Sequence, residues 1–133
     1  MEVIRRQPDT KRGPAEWFTG DVFIDEISPG PHVKLLSVHF TPGARTAWHA
    51  HPFGQTIHVT EGVGLFQVAG EPPQPLRAGD TVRFDANEVH WHGAGPTTFM
   101  THLAMQEVAD DGSDAAWGDQ VTDAEYSAGD QSR

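Results

Sequence analysis

Between Gly43 and Gly62 the chain reads GARTAWHAHPFGQTIHVTEG. His49 and His51 stand two residues apart, and alternate residues of an extended strand share a face, so both imidazoles can point the same way. Gln55 follows beyond Pro52 and Gly54, which predict a turn. His90 comes much later, behind Gly79 and a short apolar run. Three imidazoles and one carboxamide meeting inside a small β-barrel would form a site for a divalent cation. Imidazole suits Zn, Mn, Fe, Ni and Cu, and a carboxamide oxygen suits harder ions such as Mn²⁺. Four neutral ligands leave the ion its full charge and, where it prefers six donors, leave positions for water or substrate. Such a site favours alkoxide, carboxylate, superoxide or cyanide and lowers the pKa of a bound water or alcohol.

A second polar set follows. Thr98, Met100, His102, Ala104 and Gln106 alternate along one strand face; if that face looks inward, His102 and Gln106 approach whatever the cation holds. An unperturbed imidazole pKa near 6.5 suits His102 to general-base work. His92 shares parity with His90 and reads as its neighbour in the pocket or as a rim residue. Leu36, Val38 and Phe40 share one face of an earlier strand and would give the pocket an apolar wall. His32, His39 and His58 fall on other faces or in loops and read as structural or exposed. Trp48 and Trp91 read as packing residues, and Arg45 as a structural ion-pair or hydrogen-bond partner.

The elements that must position these residues are strands. Val22–Ile27, His32–Phe40, Thr46–His51, Gln55–Thr60, Leu65–Ala69, Thr81–Phe84, His90–His92 and Thr97–Gln106 recur about every 8–12 residues with turn residues between them, the pattern of an antiparallel sandwich or barrel. Gly70–Pro75, with its prolines, predicts a loop. Residues 1–14, with Arg5, Arg6, Lys11 and Arg12, predict a flexible N-terminal arm, after which Trp17 and Phe18 should be buried. The barrel domain should span residues 15–107. Residues 108–133 form an acidic C-terminal tail, expected to be a solvated end with one short helix near Thr122–Ala128, capped by Thr122 with Glu125 three residues on.

At 133 residues the chain is one domain, able to bury roughly 70% of its unfolded surface. Without cysteine it has no disulfide, thiolate site, iron–sulfur cluster or cysteine nucleophile. Net charge is −10, of which −7 falls in Glu107–Arg133, where eight acids face Arg133 alone. No basic patch is present, so nucleic acid and anionic membrane are poor partners. Neither a signal-type apolar segment nor a membrane-span-length apolar run is visible, and a cytoplasmic protein acting on a small molecule is expected.

The spacing G-x5-H-x-H-x3-Q-x6-G over Gly43, His49, His51, Gln55 and Gly62 resembles the first motif of the cupin superfamily, with Gln where most members have Glu. Gly79–Ala94 is similar to the second motif; Gly79 and His90 match, while Asp85, Asn87 and Ala94 replace the pattern's Pro, Gly and Asn. GPAEWFTG, PGARTAWHAHPFGQT, HWHGAGPTT and MTHLAMQE further resemble the manganese-dependent cupin hydroxynitrile lyases of bacteria. The resemblance implies an all-β fold, a small antiparallel barrel or double-stranded β-helix of jelly-roll type. It implies one divalent ion per subunit on His49, His51, Gln55 and His90, manganese first and iron, zinc or nickel as alternatives. It assigns His102 the role of base in cyanohydrin cleavage, and size points to a homodimer or homotetramer. A metal-dependent dioxygenase and a non-catalytic metal-bearing binding protein are the competing expectations; a base beside the metal favours the lyase.

Overall fold

A computed structural model describes residues 1–130. Its strands are β1 (Lys11–Arg12), β2 (Phe18–Thr19), β3 (Val22–Ser28), β4 (Val33–Phe40), β5 (Arg45–Thr46), β6 (His49–Ala50), β7 (Gln55–Val68), β8 (Gln74–Arg77), β9 (Thr81–Phe84), β10 (His90–Ala94), β11 (Met100–Glu107) and β12 (Ala116–Trp117), followed by the helix α1 (Asp123–Asp130). Every pairing is antiparallel, and the main path runs β1-β3-β4-β11-β7-β10-β5-β2. The curled, wholly antiparallel all-β architecture is the one the strand spacing predicts.

β7 is the spine. Its first half pairs with β11 and β9, its second half with β10 and β8. The sequence predicts two strands here, separated by glycines; the structure has one strand of 14 residues that bends between them. Gly62 takes φ +83°, and a β-carbon there would collide with the Phe99 carbonyl; one on Gly64 would collide with the Gly93 carbonyl and the Met100 sulfur. Bare backbone at these positions lets β7 pass from one sheet to the other while β10 and β11 stay close.

Thr46–His51, predicted as one strand, is instead the two short pieces β5 and β6. Between them the Ala47 N–H donates to the Trp17 carbonyl at 2.8 Å and the Trp48 N–H to the Asp119 carbonyl at 2.9 Å. The ladder is thus taken over by segments from the two ends of the chain, which no local pattern reveals. β8 lies where a loop is predicted; it is an edge strand, and Pro75 needs no donor there.

The ends differ most from expectation. β1 pairs with β3, and the Gly13 N–H donates to the Val22 carbonyl. Phe18 is buried as predicted, but Trp17 keeps 36% of its surface exposed and stacks on Trp117 at 5.0 Å. Beyond Glu107 the chain is not a solvated end, as read from its charge. β12 pairs with β6, and the Arg45 guanidinium donates to the Val121 carbonyl and the Asp123 carboxylate, both at 2.8 Å, its carbon sitting over the Tyr126 ring. Tyr126 donates to the Ala94 carbonyl at 2.6 Å. Val121 and Tyr126 cover Trp91 and Leu65, making a second small core outside the barrel. The predicted capping box is present: the Glu125 N–H donates to Thr122 Oγ1, and the Thr122 N–H to Glu125 Oε1. The principal core lies inside the barrel around Val22, Val38, Phe40, Ile57, Val59 and Met100. Among the described residues no helix is long and apolar enough to cross a membrane.

Candidate metal centre

His49 and His51 come from β6 and the turn after it, Gln55 from the first position of β7, and His90 from the first position of β10, where it registers against His49. Ring nitrogens of His49, His51 and His90 all lie within 4.8 Å of one another. All three side chains are buried, His90 completely. Phe84 stacks face to face on His90 and Trp117 on His49, with centroids 3.6 Å and 4.6 Å apart, so the rings have little rotational freedom.

The Nδ1 atom of each imidazole meets a main-chain carbonyl: Ala47 for His49 at 2.9 Å, Asp114 for His51 at 2.6 Å, and Glu88 for His90 at 2.8 Å. Those carbonyls accept only, so Nδ1–H must donate, and each Nε2 keeps a lone pair. A ring held this way is pre-set as a ligand through Nε2. Burial drives the pKa of all three down, that of His90 to about 3, so they stay neutral; for His49 the neighbouring His90 and His51 add to the effect.

Gln55 Oε1 lies 3.2 Å from His90 Nε2. Its amide orientation is fixed from behind, because Gln55 Nε2 donates to Gln106 Oε1 at 3.1 Å and Gln106 Nε2 donates to Asp114 Oδ2 at 2.9 Å. Two lone-pair atoms therefore face each other, and His51 Nε2 is buried with no hydrogen-bond partner among the described residues. Acceptors gathered without donors are costly unless a cation joins them. The donor set, three neutral imidazoles with a hard carboxamide oxygen beside them, fits a divalent ion.

One cavity of about 540 Å³ opens beside the centre. His49, His51 and Gln55 line it, and so do Leu36, Val38, Phe40, Gln106, His92 and His102, all of which the sequence places there. His102 and His92 form a hydrogen-bonded pair, His102 Nε2 to His92 Nδ1 at 3.0 Å. His102 Nδ1–H donates to the Leu103 carbonyl at 3.2 Å, so its Nε2 accepts from His92, and the lone pair left over is on His92 Nε2. That atom is buried and lacks a hydrogen-bond partner among the described residues. Burial lowers the pKa of both, His102 to about 4, and for His92 the neighbouring His102, His49, His90 and His51 add to the effect. Both ring nitrogens of His102, the base candidate of the sequence, have hydrogen-bond partners, and His92 Nε2 has none among the described residues.

His32 and His58 are exposed, and His39 sits outside the barrel between Asp25 and Thr101. Trp91 is packing, as predicted. Sequence reasoning missed Asp114 and Trp117, which reach the centre from the tail, and Phe84, whose apolar parity in Thr81–Phe84 was a usable signal.

A β-barrel carrying histidines on these strands defines a cupin, and residues 36–102 match the cupin domain family. The chain belongs to that family. It is 52% identical over 118 residues to an (R)-mandelonitrile lyase of Granulicella tundricola, covering 86% of this chain and 89% of that one. The crystal structure of a cupin-like protein from Thermotoga maritima superposes with a TM-score of 0.82 at 35% identity, covering 94% of this chain and 95% of the other. The polyketide cyclase RemF of Streptomyces resistomycificus shares the fold, with a TM-score of 0.74 at 15% identity over 96% and 98% of the two chains.

Proposed function

We propose that this chain is a metal-dependent lyase that cleaves cyanohydrins to an aldehyde and hydrogen cyanide, and joins them in reverse. The observation that carries the reading is the uncharged pair His92–His102 beside the three-histidine cluster, both at the wall of one apolar cavity. The name of the Granulicella relative supports it. His49, His51, His90 and Gln55 would hold the cation, for which manganese is the first choice because of the carboxamide oxygen. When bound, a divalent ion there supplies Lewis acidity and a positive charge for the oxygen or cyanide of the reacting molecule.

The residues of the chain supply the proton path. The hydroxyl proton of the cyanohydrin passes to His92 Nε2. The carbon–carbon bond breaks, its electron pair leaves with cyanide, and the carbonyl closes. Cyanide takes the proton back from His92 and departs as HCN. His92 is cationic only in between, and its Nδ1–H bond to His102 then becomes charge-assisted. The Leu103 carbonyl holds His102 in the tautomer that can accept it. Leu36, Val38, Phe40 and Ala104 enclose the organic group and keep water from the transferred proton.

The protein, purified and loaded with Mn²⁺, should release benzaldehyde from mandelonitrile under anaerobic conditions. Loss of either imidazole, in His92→Ala or His102→Ala, should lower kcat by about a hundredfold or more, the usual worth of a general base. No benzaldehyde above the uncatalysed rate would end the lyase reading. Oxygen uptake with phenols or diketones would instead favour an oxidative cupin.

A further inference from the structure

We propose that Asp114 is a positioning residue whose carboxylate sets, through Gln106, which end of the Gln55 carboxamide faces the three histidines. This rests on the reading of the histidine cluster as a metal centre. An amide side chain has an oxygen end and a nitrogen end of nearly equal size, and only its surroundings decide which way it lies. For Gln55 the difference is decisive, because the oxygen can ligate a cation and the NH₂ cannot.

The direction is imposed from one end of a three-link relay. A carboxylate only accepts, so Asp114 Oδ2 draws the NH₂ of Gln106 toward itself at 2.9 Å. That turns Gln106 Oε1 toward Gln55, whose NH₂ it receives at 3.1 Å. Gln55 Oε1 is left pointing at the histidines, 3.2 Å from His90 Nε2. Both glutamines are buried, at 6% and 7% exposure, so water does not readily replace a missing link. The other carboxylate oxygen of Asp114 is 3.4 Å from Lys34 Nζ, which steadies it. The main-chain carbonyl of the same residue receives His51 Nδ1–H at 2.6 Å. Without the carboxylate both amides can turn over together, keeping their mutual hydrogen bond while presenting an NH₂ to the cation.

The test uses the full chain stripped of metal and titrated with MnCl₂. Calorimetry reads affinity, and water-proton relaxation reads how many waters the bound Mn²⁺ carries. Asp114→Ala leaves the main-chain carbonyl on His51 in place, so it isolates the relay. It should bind Mn²⁺ about tenfold to a hundredfold more weakly, the usual cost of losing an outer partner, with higher relaxivity as water replaces Gln55. Adding Gln106→Glu to Asp114→Ala puts an acceptor-only group beside Gln55 again and should recover most of both signals, which a loss of packing would not allow. Unchanged affinity and relaxivity in Asp114→Ala, or a double variant no better than the single, overturns the proposal. Where Asp114→Ala fails to fold, Gln106→Met breaks the relay one link on, and unchanged Mn²⁺ affinity there overturns it equally. An unsubstituted chain that binds no Mn²⁺ removes the metal-centre reading, and this proposal with it.

Discussion

A glutamine at position 55, in place of a carboxylate, leaves the centre without protein charge, so any bound cation keeps its attraction for an anion such as cyanide. The cost is that the imidazoles must do most of the holding. Each is therefore tied at Nδ1 to a carbonyl, and His49 and His90 are also wedged by an aromatic face. His49 touches the rings of both His51 and His90, with centroids 5.0 Å and 4.3 Å away. It is the residue whose removal should disperse the cluster. His49→Ala is expected to hold far less than one divalent ion per chain after dialysis, read by elemental analysis. His58→Ala, on the exposed side of β7, should keep the parent's content. Equal metal in both variants would remove His49 from the ligand set.

The strands that carry these side chains depend on a few backbone positions where a side chain cannot fit. Gly62 combines φ +83° with a collision against the Phe99 carbonyl, whereas Gly43 has φ +81° and open space around it. Gly43→Ala should therefore cost only the left-handed backbone strain, about 1–2 kcal/mol. Gly62→Ala should cost that plus the displacement of β11 from β7, about 3 kcal/mol or more in total. Urea denaturation of the two variants checks the order; equal losses would mean that the β7 bend is not tight. Much of this level was legible in the sequence: period-two alternation in Leu36–Phe40 and Met100–Gln106, with the H-x-H pair, was enough to place the cavity wall and the imidazoles of His49 and His51 on inward faces. The boundaries were less so. Gly62 and Gly64 mimic a chain break, because glycine marks a bend and a turn alike. The Thr46–His51 ladder is interrupted by carbonyls from Trp17 and Asp119, partners that sequence distance conceals. The hydrogen-bond order of the His92–His102 pair was hidden too, since it turns on one contact to the Leu103 carbonyl. The tail misled because its charge hides inward contacts: Asp114 meets Gln106, Trp117 stacks on His49, and Val121 and Tyr126 pack with Trp91.

At the scale of the whole molecule, the barrel closes over five buried imidazoles, His49, His51, His90, His92 and His102, and this ties its stability to pH. Each has a folded-state pKa below its ordinary value of 6.5, because burial penalises the charged ring; for His90 it is about 3 and for His102 about 4. Above about pH 6.5 the rings are neutral in both folded and unfolded chains, and none of this affects stability. Below it the unfolded chain takes up protons that the folded chain refuses, so stability falls with pH until the folded pKa is reached. A ring such as His102, titrating near pH 4 when folded, forfeits about 3 kcal/mol over that interval. A domain with about 5–15 kcal/mol in hand cannot absorb several such losses. The metal-free protein should therefore unfold cooperatively between about pH 6 and pH 4, its Tm declining steadily across that window while remaining flat from pH 7 to 8. A bound divalent ion holds the imidazoles neutral and stabilises only the folded state, so Mn²⁺ loading should move the acid transition to lower pH and release the ion as the protein unfolds. Thermal melts at half-unit pH steps, with and without Mn²⁺, read both effects. A metal-free Tm that stays constant from pH 7 to pH 4 would mean that these rings are not buried neutral together, and the compact centre they form would have to be redrawn.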